Sequence, residues 1–262
     1  MIATISADIV RSTSLKTRDL MALRDKLRGL LDQFEKEYPG FWARIVRGDS
    51  IECVVPAYRD SLRIAILIKL FVKMEAEGLD CHDLLHRHGI RFSIGMGNLD
   101  YANQKDDIIN GEAIYISGRN LDENSRKSSI FTAFEMANAS RQMNNMLESY
   151  VALLSNLVDS YSAKQAEVVF YKLLGYKEID VAERLGIYQS SVNTRSGQAQ
   201  WGLLRMAIRD FEEMDFERIC VEICSYGWCW HILLPISYFR LPPHVKVRRR
   251  STGGACTSIF TR

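Results

Sequence analysis

The sequence has no Cys-x-x-Cys pair, no internal repeat, no low-complexity tract and no long uninterrupted apolar run. Its six cysteines, Cys53, Cys81, Cys220, Cys224, Cys229 and Cys256, are irregularly spaced. That spacing argues against a disulfide scaffold or a zinc module with paired ligands. Met1-Ile2-Ala3 leads directly into strand-like sequence, without the basic and apolar regions of a secretory signal. Reduced thiols and a cytoplasmic location are therefore expected. An apolar stretch from Trp228 to Phe239 is interrupted by Pro235. As a helix it would reach about 18 Å, short of a ~30 Å hydrocarbon core, so a membrane span is not expected.

What is present suits a globular chain. The 262 residues are 47% apolar and 25% charged, enough for one large domain or two modest ones. The formal net charge of +2 is unevenly spread: from residue 217 onward there are seven Lys/Arg and two Asp/Glu, so the positive excess lies at the end. The 217–262 tail has four open readings: a lipid-surface anchor, a partner-binding strand, a disordered stretch or an out-of-frame extension.

Residues 2–10 cluster like a buried strand. Ser12-Thr13-Ser14 precedes a helix in which Leu15, Leu20, Leu23, Leu27, Leu30, Leu31 and Phe34 recur at helical spacing, until Pro39-Gly40 ends it. Phe41–Arg47 and Ser50–Val55 read as two strands joined near Gly48. An apolar helix follows over 58–77, then a strand over Gly89–Gly97. The order strand-helix-strand-strand-helix-strand is the ferredoxin-like βαββαβ pattern, expected as an antiparallel sheet with helices on one face. Residues 100–110 read as a loop, 112–127 as a helix, 129–133 as a short strand and 134–159 as a long helix. The expected fold class is thus α+β, a βαββαβ core over 1–133, followed by a linker helix (134–160) and an all-α domain (161–216).

The all-α segment carries a helix-turn-helix signature. Ser162-Ala163-Lys164-Gln165 caps a first helix, 177–185 forms a second, and a third starts at Gln189. Ala182, Gly186 and Val192 fall where two close helices need a small residue, a turn glycine and an apolar packing residue. Val181, Leu185, Ile187 and Val192 are the expected core. Gln189, Ser190, Ser191, Asn193, Thr194 and Arg195 are the candidate DNA contacts. The segment is slightly acidic, and a role as a protein-interaction module competes with DNA binding.

Two carboxylates carry the sharpest chemical signal. Asp8 lies in Ile5-Ser6-Ala7-Asp8-Ile9-Val10, and Asp49 in Arg47-Gly48-Asp49-Ser50-Ile51. Ionised carboxylates in apolar runs are costly unless paired, and two brought together gain from a shared divalent cation. Mg2+ or Mn2+ completed by substrate phosphates fits that donor type. The competing reading makes them strand-end residues that cap a helix and a turn.

Ala-Asp-Ile-Val at 7–10, Gly-Asp-Ser at 48–50, Arg-Phe-Ser-Ile-Gly-Met-Gly at 91–97 and Gly-Glu-Ala-Ile-Tyr-Ile-Ser-Gly-Arg-Asn-Leu at 111–121 resemble, in order, the motifs of class III nucleotide cyclases. The likeness covers roughly residues 1–130. With the following helix-turn-helix, the architecture also resembles the bacterial SatD family. The resemblance implies a nucleoside triphosphate substrate and metal ligation by Asp8, Asp49 and the Ile9 carbonyl. It also implies a catalytic Arg119 on the α-phosphate, supplied across a head-to-tail homodimer. Arg11 and Tyr115 stand where that family has glycine and a ribose-binding asparagine, so Arg11, Arg47 and Tyr115 become candidate nucleotide contacts. Ile45 and Ile108 replace the purine-selecting positions, leaving the base unspecified. A cyclic nucleotide is the implied product, a catalytically inactive nucleotide-sensing or dimerisation module the alternative. Cys81, His82, His86 and His88 are read as a solvated connection rather than a zinc site, and Glu52 is excluded from the metal set by strand alternation from Asp49.

Overall fold

The computed structural model describes residues 1–46, 48–103, 108–126, 132–216 and 218. They belong to one compact unit of mixed α+β structure. The chain runs β1 (Ile2–Ile9), α1 (Thr17–Glu37), β2 (Trp42–Val46), β3 (Ser50–Val55), α2 (Ser61–Glu75), α3 (Asp83–His88), β4 (Ile90–Gly97), β5 (Tyr101–Asn103), β6 (Ile108–Asn110), α4 (Glu112–Arg126), β7 (Thr132–Met136) and α5 (Arg141–Asp159). Helices α6 (Ala163–Leu173), α7 (Glu178–Leu185), α8 (Gln189–Gln198) and α9 (Trp201–Glu213) follow.

Five strands form one sheet in the order β2-β3-β1-β4-β7. The first three neighbour pairs are antiparallel, and β7 joins β4 in parallel. In β1, Ala3, Ile5 and Ala7 face an apolar core shared with α1, α2, α5, α6 and α9. The core runs unbroken from the sheet into the last helices, through Phe71 against Phe170 and Phe134 against Phe211.

The other face is also covered, against the expectation of helices on one side only. There α4 packs across β1, β4 and β7. Thr4 and Ser6 of β1 both hydrogen-bond the buried Ser117 hydroxyl on α4, at 3.0 and 2.8 Å. Gly95 makes the approach possible: a Cβ there would sit 2.8 Å from the Ser117 nitrogen.

Local signals account for most boundaries. The Ser162–Gln165 capping box starts α6, and Ser140 caps α5 by accepting from the Met143 N–H. The helix expected from Phe134 therefore begins at Arg141, because Phe134 to Met136 extend the sheet as β7. Within 100–110, expected as a loop, β5 and β6 pair as an antiparallel ladder. The expected third helix of the all-α segment is two, α8 and α9, separated at Gln200, which adopts φ 51°. Gly186 takes the left-handed conformation (φ 62°) between α7 and α8, and Val181, Ala182 and Val192 are buried with Val168.

The Cys81–His88 connection is ordered through structural contacts. His82 Nδ1 accepts from the Leu84 N–H to cap α3, and Cys81 Sγ lies 3.3 Å from His86 Nε2. His88 Nδ1 pairs with Asp159 at 2.8 Å, beside the buried Lys69. The ammonium groups of Lys69 and Lys73 donate to carbonyls of His86, Arg87 and His88, which α3 leaves without helical partners. Burial works to raise the Asp159 carboxyl, but His88 and Lys69 outweigh it and hold it below its ordinary value. No group of three His, Cys, Asp or Glu able to hold a metal occurs among the described residues. Residues 219–262, with Cys220, Cys224, Cys229 and the apolar and basic segments, lie outside the described residues.

Candidate functional site

Asp8 ends β1 on the α4 face, next in the row Thr4-Ser6-Asp8. Its cross-strand partner in β3 is Ser50, so the preceding residue, Asp49, sits in the β2–β3 turn beside it. The Ile9 N–H donates to the Asp49 carbonyl at 3.2 Å, fixing the turn against the strand end. Gly48 supplies the positive φ (90°) that this turn uses. The two carboxylates are thus delivered to one end of neighbouring strands. Their charges interact: burial raises the Asp8 carboxyl above its ordinary value, Arg91 opposes that shift, and Asp49 adds to it.

Each carboxylate already has a partner. Arg91, opposite Asp8 on β4, donates from Nε at 2.9 Å and from Nη2 to the same Asp8 oxygen, Oδ2. Ser12 donates its hydroxyl to Asp49 Oδ2 at 2.5 Å. The oxygens engaged are Oδ2 in both cases, and the hard-oxygen donor set suits Mg2+ or Mn2+. Arg91 and Ser12 are the residues that reading the sequence missed. Arg91 opens the Arg-Phe-Ser-Ile-Gly-Met-Gly strand, but only the β1–β4 register sets it against Asp8.

Arg11 follows β1 in the left-handed conformation (φ 55°, ψ 34°), with its side chain exposed. A non-glycine residue there costs about 1–2 kcal/mol. Its carbonyl accepts from the N–H and hydroxyl of Ser14, closing the short helical turn that follows. Ile9 is buried at the end of β1. Arg47 lies outside the described residues.

Arg119 and Tyr115 lie one turn apart on α4, the guanidinium 5.5 Å from the centre of the exposed Tyr115 ring. Arg119 also donates to Glu135 Oε2 at 2.7 Å, and Asn120 donates to the same oxygen at 2.8 Å. Within the chain Arg119 therefore points to the β7 edge and is held by Glu135, while Asp8 is held by Arg91. Ile45 packs on the apolar core through the face it shares with Ile51, and Ile108 is exposed on β6. Glu52 lies on the Asp8 face of β3, not away from it, and is paired with Arg44 at 2.6 Å.

In α8, Gln189, Ser190, Asn193 and Thr194 are exposed and Ser191 and Arg195 half-buried. Thr194 donates to its own helix at Ser190. Burial raises the Glu167 carboxyl of α6, and the charge of Arg195, the one cation of α8, opposes that shift.

These elements define an α+β protein with a carboxylate pair at one end of its sheet and a helical segment sharing its core. Known protein families, characterised proteins and solved structures contain no match to the chain.

Proposed function

We propose that the chain is a regulatory protein whose sheet segment binds a nucleoside triphosphate with Mg2+ or Mn2+ and whose α6–α8 helix-turn-helix contacts DNA. The observation that supports it is the strand register, which sets Asp8 opposite Ser50 and so brings Asp8 and Asp49 to the same end of β1 and β3. The antiparallel order β2-β3-β1-β4 supports reading the first four strands as a ferredoxin-like, cyclase-type core. Arg11 supports it too: it stands where class III cyclases have glycine, and its backbone takes the left-handed conformation that glycine adopts most readily.

Asp8 and Asp49 would hold the cation. A bound divalent cation supplies neutralisation of phosphate charge and acidification of a ribose hydroxyl. Arg119 from a second protomer, released from Glu135, would stabilise charge on the α-phosphate. A cyclic nucleotide is the product of this reading. Each of the four triphosphates is incubated with the chain and Mn2+, and the products are separated. Formation of a cyclic nucleotide, lost in both Asp8→Asn and Asp49→Asn, is expected. Activity retained in either variant removes the paired-carboxylate assignment.

The Asp8–Arg91 pair favours a second reading, a nucleotide-sensing or dimerisation module without turnover. A fixed guanidinium already neutralises the carboxylate that a cation would use. Nucleotide binding without product formation is its signature.

For DNA, the exposed amide and hydroxyl groups of α8 carry the proposal and Arg195 its charge. Affinity for duplex DNA is expected to fall with salt and to weaken in Arg195→Ala. Salt-independent binding, or none at low ionic strength, would sink it.

A further inference from the structure

A second candidate ligand site lies away from the carboxylates. A cleft of about 590 Å³ opens where α2 meets the end of α6, the α6–α7 turn and α9. That volume lies within the ~300–1,000 Å³ range of small-molecule sites, and junctions of packed segments are where such sites concentrate. Five cations line it, Arg63, Lys172, Lys177, Arg205 and Arg209, against two carboxylates, Glu178 and Glu212.

The frame and the free charge can be told apart. Arg63 is committed to structure: it grips Glu212 through Nε (2.6 Å) and Nη2 (3.0 Å) and donates from Nη1 to the Leu173 carbonyl at 2.8 Å. This ties α2 to both α6 and α9 and spends one of the two carboxylates. Lys172 spends the other, 2.7 Å from Glu178, and stands 5.6 Å from the centre of the Trp201 ring. The remaining charge is unbalanced. Neither the Lys177 ammonium nor the Arg205 guanidinium has an ion pair among the described residues, although the Asp180 carboxylate accepts from the Lys177 backbone N–H at 3.2 Å. Arg209 has only loose pairs, 3.4 Å to Asp210 and 3.7 Å to Glu213, on an exposed surface where such pairs contribute little. Arg205 and Arg209 are four residues apart on α9, so both guanidinium groups project along the same side of the cleft.

We propose that this cleft binds a phosphorylated small molecule, its phosphates held by Arg205, Arg209 and Lys177. Guanidinium groups give phosphate oxygens paired, charge-assisted hydrogen bonds, and a concave wall with several of them favours a compact polyanion over the convex backbone of a duplex. Because the cleft joins α2 of the sheet segment to α6, α7 and α9, its ligand would bear on how these helices pack.

The full chain is titrated calorimetrically with inorganic tripolyphosphate and, separately, with ATP, at low salt and in EDTA. The chelator removes metal-dependent binding at Asp8 and Asp49, so the test is independent of that site. Both ligands are expected to bind, and the Arg205→Ala/Arg209→Ala variant to weaken both by about tenfold or more, with the thermal midpoint unchanged because both side chains are exposed. Asp49→Asn is expected to bind as wild type. Tighter binding of ATP than of tripolyphosphate would assign a nucleotide; equal binding, a polyphosphate group alone. Absence of binding at millimolar ligand, equal affinity in wild type and the double variant, or loss of binding in Asp49→Asn would overturn the proposal. So would a double variant that loses affinity for duplex DNA while keeping both small anions.

Discussion

Along β1, Ala3, Ile5 and Ala7 enter an apolar core, while Thr4, Ser6 and Asp8 line the face beneath α4. Both faces are buried, so burial alone does not distinguish them. The apolar face gains from area removed from water and is filled by large side chains. The α4 face gains less: Thr4 and Ser6 exchange water for the Ser117 hydroxyl, the buried Ser93 hydroxyl has no hydrogen-bond partner among the described residues, and Gly95 contributes no side chain. What that face provides is position. Small residues let α4 lie close, and the polar row ends at Asp8. One face supplies stability and the other places groups.

The comparison can be broken most strongly from the apolar side. Ile5 is fully buried between strands and helices, so Ile5→Ala should cost about 2–5 kcal/mol of unfolding free energy. Equilibrium urea unfolding checks it, and a cost under ~1 kcal/mol would show that the core can collapse around the gap. Next is Gly95→Ala. The added methyl meets the backbone of α4 at Ala113 and Ser117, which cannot move without moving the helix, and should cost about 1–3 kcal/mol. It should also disturb the Arg119–Glu135 pair, because α4 carries Arg119.

The apolar side is itself not uniform, since α2 buries Lys69 and Lys73. Burial, followed by the Lys69 charge, lowers the Lys73 ammonium from its ordinary 10.5 to about 8, against the pull of Asp159. Above pH 8 the unfolded chain then holds more protons at this group than the folded one, so its contribution to stability rises as pH rises toward 10.5. Lys73→Met removes that slope and leaves α3 carbonyls short of a donor, a loss of about 1–3 kcal/mol at neutral pH. The gap between wild type and variant should widen between about pH 8 and about pH 10, and a constant gap would show that the lysine is not titrating there.

The apolar face was largely legible from sequence because periodicity reports it directly. Leu23, Leu27, Leu30, Leu31 and Phe34 recur on one side of α1 and are all buried. Turn chemistry was legible too: Gly186 and the Ser162 capping box carry their geometry in their residue types. The α4 face was not, because Thr4, Ser6, Ser93, Gly95 and Ser117 have no apolar signal and meet only through the tertiary packing of α4. Asp8 and Asp49 could be picked out, but their partners Arg91 and Ser12 depend on strand register and on a turn. Phe134–Met136 were read as helix because a short apolar run of strand length has no period of its own.

The smallest expected effect tests whether the polar row is a network or a set of separate bonds. Ser117 is shared: Thr4 and Ser6 both reach its hydroxyl, which in turn donates to the Ile114 carbonyl at 3.3 Å. Ser6→Ala leaves Ser117 still bonded to Thr4, so the loss should be about 0.5–1.5 kcal/mol. Ser117→Ala strands both Thr4 and Ser6 hydroxyls in a buried seam and should cost more, about 1–3 kcal/mol. In the Ser6→Ala background, Ser117→Ala should cost less than it does alone, because only the Thr4 hydroxyl is then stranded. Strict additivity of the two losses would mean that each hydroxyl finds water on its own, and that α4 does not seal the face that carries Asp8.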